Sequence, residues 1–287
     1  MSLILRTTLP DFDYLSPSSL DELLALKAKY GERAAVIAGG TVLLNLMRLG
    51  FRYDYVIDIK GVRELSAIEY REGRGLVIGA AATLKDLENN EFVREKYGVL
   101  WDAVRQIGDF HLRNRATIGG NICNPTLQAD TIAPLAVLGA SIEVSSMRGS
   151  RRVAIWELVK EGGGLLLDPD EILTRIYIPE LPKGSRGAYF KVWWIAGIAA
   201  LAANIDNPRE RIVRVAYSFA PSQELVEGVE KIFRQEKPLK VLIGDAINYI
   251  KTSITPPSDA RASREYREHL VEFGTAYLLR KLLGVEV

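Results

Sequence analysis

The spacing of apolar positions divides the chain into short alternating elements. In SPSSLDELLALKAKYG, Leu20, Leu23, Leu24 and Leu26 recur at helical spacing, Ser19 and Glu22 stand at capping-box separation, and Gly31 supplies a stop. AAVIAGG is a short continuous apolar run ending in glycines, which reads as a buried strand. TVLLNLMRLG reads as a helix closed by Gly50, and YVIDI (55–59) as a second strand. This strand–turn–helix–strand order predicts a small parallel unit. LSAIEYREGRGLVIGA predicts a hairpin turning at Glu72–Gly75, followed by short helices in ATLKDLENN and GVLWDAVRQI. SIEVSSMRGSRRVAIWELV predicts a second hairpin turning near Arg148–Ser150, and EILTRIYIP (171–179) a strand stopped by Pro179.

Pro179, Pro182 and Gly184 mark the strongest break in the chain. It divides a segment 1–179, with subdomains at about 1–60 and 61–179, from a segment 184–287. Beyond it, GAYFKVWWI, AALAANI and RIVRVAYSFA predict three antiparallel strands, followed by two helical segments and a long helix in SREYREHLVEFGTAYLLRKLLG. The expected class is α+β.

Composition narrows the chemistry. The 287 residues are 48% hydrophobic and 25% charged, with a formal net charge of +1, so no global field draws the chain to nucleic acid or acidic lipid. One cysteine, Cys123, permits no internal disulfide and cannot hold an iron–sulfur cluster, which fits a reducing cytoplasm. His111 and His269 lack ligand-like spacing, so no metal site is expected. IAGIAALAANI (195–205) is far shorter than the ~20 residues of a membrane helix, and the N-terminus does not read as a signal peptide. EGRGLVIG leads into a strand pattern, the wrong context for a dinucleotide fingerprint. Redox chemistry on this chain would need an organic cofactor.

Two glycine turns are the candidates for holding one. AGGT (38–41) lies between a buried strand and the first turn of a helix, where main-chain N–H groups lack partners and glycine admits a close anion. TIGGN (117–121) has the same character and leads through Asn121 and Asn124 to Asp130. Each turn alone is also explained as a tight connection. Asp130 reads either as the N-cap of the following helix or as an acceptor for ribose hydroxyls. Two anion-binding turns together suit a ligand with a diphosphate and two polar ends, such as a flavin dinucleotide.

AGGT, IGDFHLRNRATIGGN (107–121), Asp130 and PPSDARASREYR (256–267) occur in the order in which they stand in the FAD-binding medium subunits of the molybdenum hydroxylases, the flavoproteins of xanthine dehydrogenase and carbon monoxide dehydrogenase. The chain resembles that family over essentially its whole length. The resemblance implies a p-cresol methylhydroxylase-like FAD-binding domain of two α/β subdomains and a C-terminal α+β domain. It implies that Val36, Ile37, Ala38, Gly39, Gly40, Thr41, Val42 and Leu43 wrap the diphosphate and adjoining ribityl or ribose. Thr117, Gly119, Gly120 and Asn121 would hold the flavin side, with Asp130 on a ribose. Ile107 would pack near the cofactor, and Leu173 and Lys191 would approach the isoalloxazine or adenine ends.

The same resemblance implies an electron relay. An iron–sulfur small subunit and a molybdenum-cofactor large subunit would be the partners, FAD the cofactor, and no residue of this chain a catalytic acid or base. Two other readings stay open from the residues: a stand-alone FAD-dependent oxidoreductase of the same fold, and an assembly subunit that has lost FAD. The departures from the family pattern keep them open. Val42 stands where relatives carry a polar residue, and Pro125 comes two places early in NICNPTLQAD. VWWIAGIAAL replaces a basic cluster followed by Asp-Ile-Ala and is about two residues shorter. Trp193 and Trp194 read as sheet packing or as a cover over the flavin. Cys123 reads as a small filler. His111, Arg113 and Arg115 read as a solvated basic segment or as support for TIGG and charge for the diphosphate.

Overall fold

The computed structural model describes residues 8–124, 129–158, 165–192, 195–219 and 223–286. At the N-terminus, β1 (Asp13–Leu15), β2 (Ala34–Ile37) and β3 (Tyr55–Asp58) form a parallel sheet in the order β1-β3-β2. Two helices make the crossovers, α1 (Leu20–Tyr30) and α2 (Leu43–Arg48). The Ser19 hydroxyl accepts the Glu22 N–H at the start of α1, and Gly31, at φ +52°, closes it. Leu23 and Leu24 of α1 and Ile57 of β3 are the centre of the first core. The parallel unit therefore stands as the apolar pattern predicts. α2 is shorter than its apolar pattern, because residues 39–42 remain an open turn.

The second unit is an antiparallel sheet of five strands. β4 (Ile68–Arg71), β5 (Gly75–Gly79), β6 (Ser141–Ser146), β7 (Gly149–Ala154) and β8 (Ile172–Ile178) take the order β4-β5-β8-β6-β7. Both expected hairpins are present, and β8 joins them through β5 and β6. Between β5 and β6 the chain runs through short helices: α3 (Leu84–Asn89), α4 (Glu91–Lys96), α5 (Gly98–Arg105), α6 (Phe110–Arg113), α7 (Ile118–Ile122) and α8 (Ile132–Val137). All six residues of α8 are buried, so TIAPLAV is a core helix. A further short helix, α9 (Ile155–Leu158), follows β7.

The C-terminal sheet contains the three expected strands, β9 (Arg186–Val192), β10 (Ala196–Ala203) and β11 (Ile212–Ser218). A short edge strand, β12 (Gln223–Leu225), adds a fourth that carries too little pattern to be seen in the sequence. Helices α10 (Val229–Phe233), α11 (Leu239–Ser253) and α12 (Arg264–Leu283) complete the chain. Every residue of β10 is buried. Ile198, Ala200 and Ala202 pack into the core beneath α11 and α12, whereas Ala199 and Leu201 pack into the core of the five-stranded unit. A strand covered on both faces reads as a continuous apolar run, which is why AGIAALAA does not alternate. The motif PPSDARASREYR is the N-terminal anchor of α12. Ser263 caps the helix, and the fully buried Arg267 donates to the Pro257 carbonyl and to Asp259 at 2.9 Å.

Candidate functional site

The turn after β2 is built to expose its main chain. Among the described residues, the N–H groups of Gly39, Gly40, Thr41, Val42 and Leu43 donate to no acceptor. Gly40 has φ +72°, a left-handed conformation that glycine takes at no steric cost. Gly39 has a different reason. A Cβ there would lie 2.0 Å from the Arg115 carbonyl oxygen, so this glycine lets the turn pack against the chain leading into TIGG. Residues 36–41 are half-buried and Val42 is exposed. Successive free donors in such a turn make a concavity for an anion.

TIGG does not repeat this arrangement. Ile118 N–H donates to Ala82 O at 3.0 Å, Gly119 N–H to Ala80 O at 2.9 Å and Asn121 N–H to Thr117 O at 2.9 Å. The Thr117 hydroxyl caps α7 by accepting the Gly120 N–H at 3.1 Å. The expectation of a second set of free amides is therefore corrected, because pairing with residues 80–82 and the threonine cap consume them. Gly119 is small because a Cβ would meet Ala80 O at 2.6 Å. Gly120 is exposed, so that face of the turn stays open to a neighbour.

Asp130 is likewise not an N-cap. Thr131 occupies that position without a side-chain cap bond. The Asp130 carboxylate is 6% exposed and is held by two residues of β9. Tyr189 Oη donates to Oδ1 at 2.8 Å and Lys191 Nζ to Oδ2 at 2.8 Å. Burial holds this carboxyl above its usual range, against the pull of Lys191 and Tyr189. Burial, then the adjacent carboxylate, raises the Tyr189 phenol well above its ordinary value. Gly197 on β10 makes room for that phenol, since a Cβ there would lie 2.0 Å from Tyr189 Oη.

Most of the residues singled out in the sequence thus meet through a continuous chain of contacts. Gly39 abuts the Arg115 carbonyl, and Thr117 caps the turn that follows. The Asn121 Oδ1 accepts from Thr131 N–H at 3.2 Å and from its hydroxyl at 2.7 Å. Thr131 neighbours Asp130, and Lys191 reaches from Asp130 to the Gln106 carbonyl at 3.1 Å, beside Ile107. Ile107 and Leu173 themselves are 5% and 3% exposed and belong to the central core. Tyr189 was missed in the sequence. The strand period of two places it on the face of Lys191, and that was the available signal.

The basic segment divides. Arg113 is committed to Glu88 at 2.9 Å and to the Ile107 carbonyl, so it is not charge held for a diphosphate. His111 and Arg115 are exposed. Cys123 lies at the surface as a residue, yet the protein around its thiol pushes its pKa up to about 12 by burial. Trp193, Trp194 and residues 125–128, with Pro125, lie outside the described residues.

The donor set fits the diphosphate of a dinucleotide: five main-chain N–H groups without acceptors at a glycine turn, none of them needed by the fold. Comparison with known proteins agrees. Residues 10–181 match the family described as the FAD-binding domain in molybdopterin dehydrogenase. A xanthine dehydrogenase FAD-binding subunit of Escherichia coli O157:H7 is 33% identical over 262 residues, covering 88% of this chain and 89% of that protein. A glyceraldehyde dehydrogenase medium chain of Sulfolobus acidocaldarius is 32% identical over 271 residues, covering 92% and 95%. Among solved structures, a carbon monoxide dehydrogenase chain from Hydrogenophaga pseudoflava superposes with a TM-score of 0.89 at 26% identity, covering 98% of this chain and all of that one. With that domain matched over residues 10–181 and a medium chain 32% identical and 95% covered, the chain belongs to the FAD-binding flavoproteins of the molybdopterin dehydrogenases.

Proposed function

We propose that this chain is the FAD-binding electron-transfer subunit of a multi-subunit molybdenum hydroxylase. In that complex a large subunit would oxidise substrate at a molybdenum cofactor, and a small subunit would pass the electrons through iron–sulfur clusters to this chain and on to an external acceptor. FAD supplies the redox chemistry when bound. The chain supplies position and electrostatics. Residues 39–43 offer the diphosphate five N–H donors already free of the fold, so binding breaks no internal hydrogen bond. Val36, Ile37 and Ala38 lead into that turn, and Thr117, Gly119, Gly120 and Asn121 form the cap and first turn of α7, just after the Arg115–Ala116 main chain on which Gly39 packs. Ile107, Asp130, Leu173 and Lys191 complete the surroundings from the central core and from β9.

The open turn at AGGT, in a chain of this family, is the observation that carries the reading. Purified protein incubated with FAD and freed of excess is expected to retain flavin absorption bands, and to co-purify from its native cell with iron–sulfur and molybdenum-cofactor subunits. Co-purification without flavin would favour the assembly role instead. Flavin reduced rapidly by aldehydes or heterocycles with no partner present would favour a stand-alone oxidoreductase. Among the described residues no helix is long and apolar enough to cross a membrane. The single cysteine supports a reducing, cytoplasmic setting.

A further inference from the structure

The open turn has a support that lies outside both glycine motifs. Asp58, the last residue of β3, is buried beside the end of β2, and its register partner is Ile37. Its carboxylate accepts the Tyr14 hydroxyl from β1 and the Lys60 N–H at 2.9 Å. It also holds the Lys60 ammonium, at 2.7 and 2.8 Å to its two oxygens. Lys60 then donates to the Ala38 carbonyl at 3.1 Å. Burial pushes the Asp58 carboxyl up, but the bonds from Lys60 and Tyr14 outweigh it and hold it below the usual range, so the anchor is ionised.

The consequence follows from peptide planarity. In a trans peptide the carbonyl and the following N–H point in opposite directions. Tying the Ala38 carbonyl to Lys60 therefore turns the Gly39 N–H to the opposite side of the chain. Packing of Gly39 on the Arg115 carbonyl and the positive φ of Gly40 fix the next two units. The Lys60 side chain is 48% exposed, so its bond to a main-chain carbonyl is not a by-product of burial. Its charge also stands one residue from the first free donor.

We propose that Lys60, anchored by Asp58 and Tyr14, is the positioning residue of the cofactor's diphosphate turn, and that it orients the Gly39 amide and offsets the Asp58 charge beside the site. This rests on the reading that the turn holds FAD. The test compares wild type, Lys60→Met, Lys60→Arg and Tyr14→Phe by flavin-fluorescence titration with FAD over a range of ionic strength, with thermal unfolding of each apoprotein. Lys60→Met is expected to weaken FAD by about tenfold or more, with apoprotein unfolding moved by only a few degrees. Removing the ammonium leaves the Asp58 carboxylate without its counter-charge, so the FAD affinity of Lys60→Met should rise with salt relative to that of wild type. Lys60→Arg restores both affinity and salt dependence, and Tyr14→Phe falls between. A Lys60→Met chain with wild-type affinity overturns the inference while leaving the FAD reading intact. A Lys60→Arg chain as weak as Lys60→Met, with an unaltered salt dependence in both, also overturns it. Failure of the wild-type chain to take up FAD overturns the cofactor reading and this inference with it.

Discussion

Gly197→Ala is a one-carbon change that tests how the C-terminal sheet holds Asp130. The added Cβ would lie 2.0 Å from Tyr189 Oη, 2.8 Å from Cζ and 3.1 Å from Cε2, so the ring must move or the strands must part. Moving the ring breaks the 2.8 Å bond to a buried carboxylate. A hydrogen bond to a charged group contributes ~1.5–3 kcal/mol, and overpacking a tight core costs a further ~1–3 kcal/mol. Replacing glycine within a strand returns ~0.5–1 kcal/mol. The net expectation is destabilisation by about 2–5 kcal/mol. Urea unfolding of the apoprotein measures it, in both Tyr189 and Tyr189→Phe backgrounds. With Phe at 189 there is no Oη to displace and no bond to lose, so Gly197→Ala should cost less there by at least ~1.5 kcal/mol. An equal cost in the two backgrounds, or a Gly197→Ala chain within ~0.5 kcal/mol of wild type, would refute the assignment of Gly197 as the space for the phenol.

Gly40→Asp should abolish FAD retention, because it sets a carboxylate against the diphosphate and strains a position at φ +72° by ~1–2 kcal/mol; retention of the flavin bands at wild-type level refutes the placement of the diphosphate. Asp130→Asn should flatten the pH dependence of apoprotein stability. The folded chain holds the Asp130 proton more tightly than the unfolded chain, so this residue's contribution is full below about pH 4 and is lost as pH rises through the raised folded value. An identical slope in wild type and variant counts against it. Saturating FAD at a hundred times its dissociation constant should stabilise the chain by ~2.7 kcal/mol, visible as a concentration-dependent rise in unfolding temperature; no rise means that the folded chain does not bind it.

The sequence carried the elements and the two glycine turns, because apolar periodicity and glycine are local signals. It carried the roles of those turns less well. AGGT and TIGG look alike as strings, but one turn is free and the other is sewn to residues 80–82. That difference depends on a partner about forty residues upstream of TIGG, which no local pattern contains. Asp130 stands in a plausible capping position, yet its partners Tyr189 and Lys191 come from a strand that forms 59 and 61 residues later. Gly39 and Gly197 are required by a carbonyl and a phenol that approach from elsewhere in the chain. The fourth strand of the C-terminal sheet is three residues long and, among the described residues, pairs with β11 alone, too short for its period to register.

The burial of β10 on both faces bears on how this protein comes apart. Its amides pair with β9 on one side and β11 on the other. Its side chains are divided between the core under the C-terminal helices and the core of the five-stranded unit. Neither core can open without stripping one face of this strand. The two should therefore melt as one cooperative unit rather than in sequence, and the β10 amides should be among the slowest to exchange with deuterated solvent, released only by global unfolding.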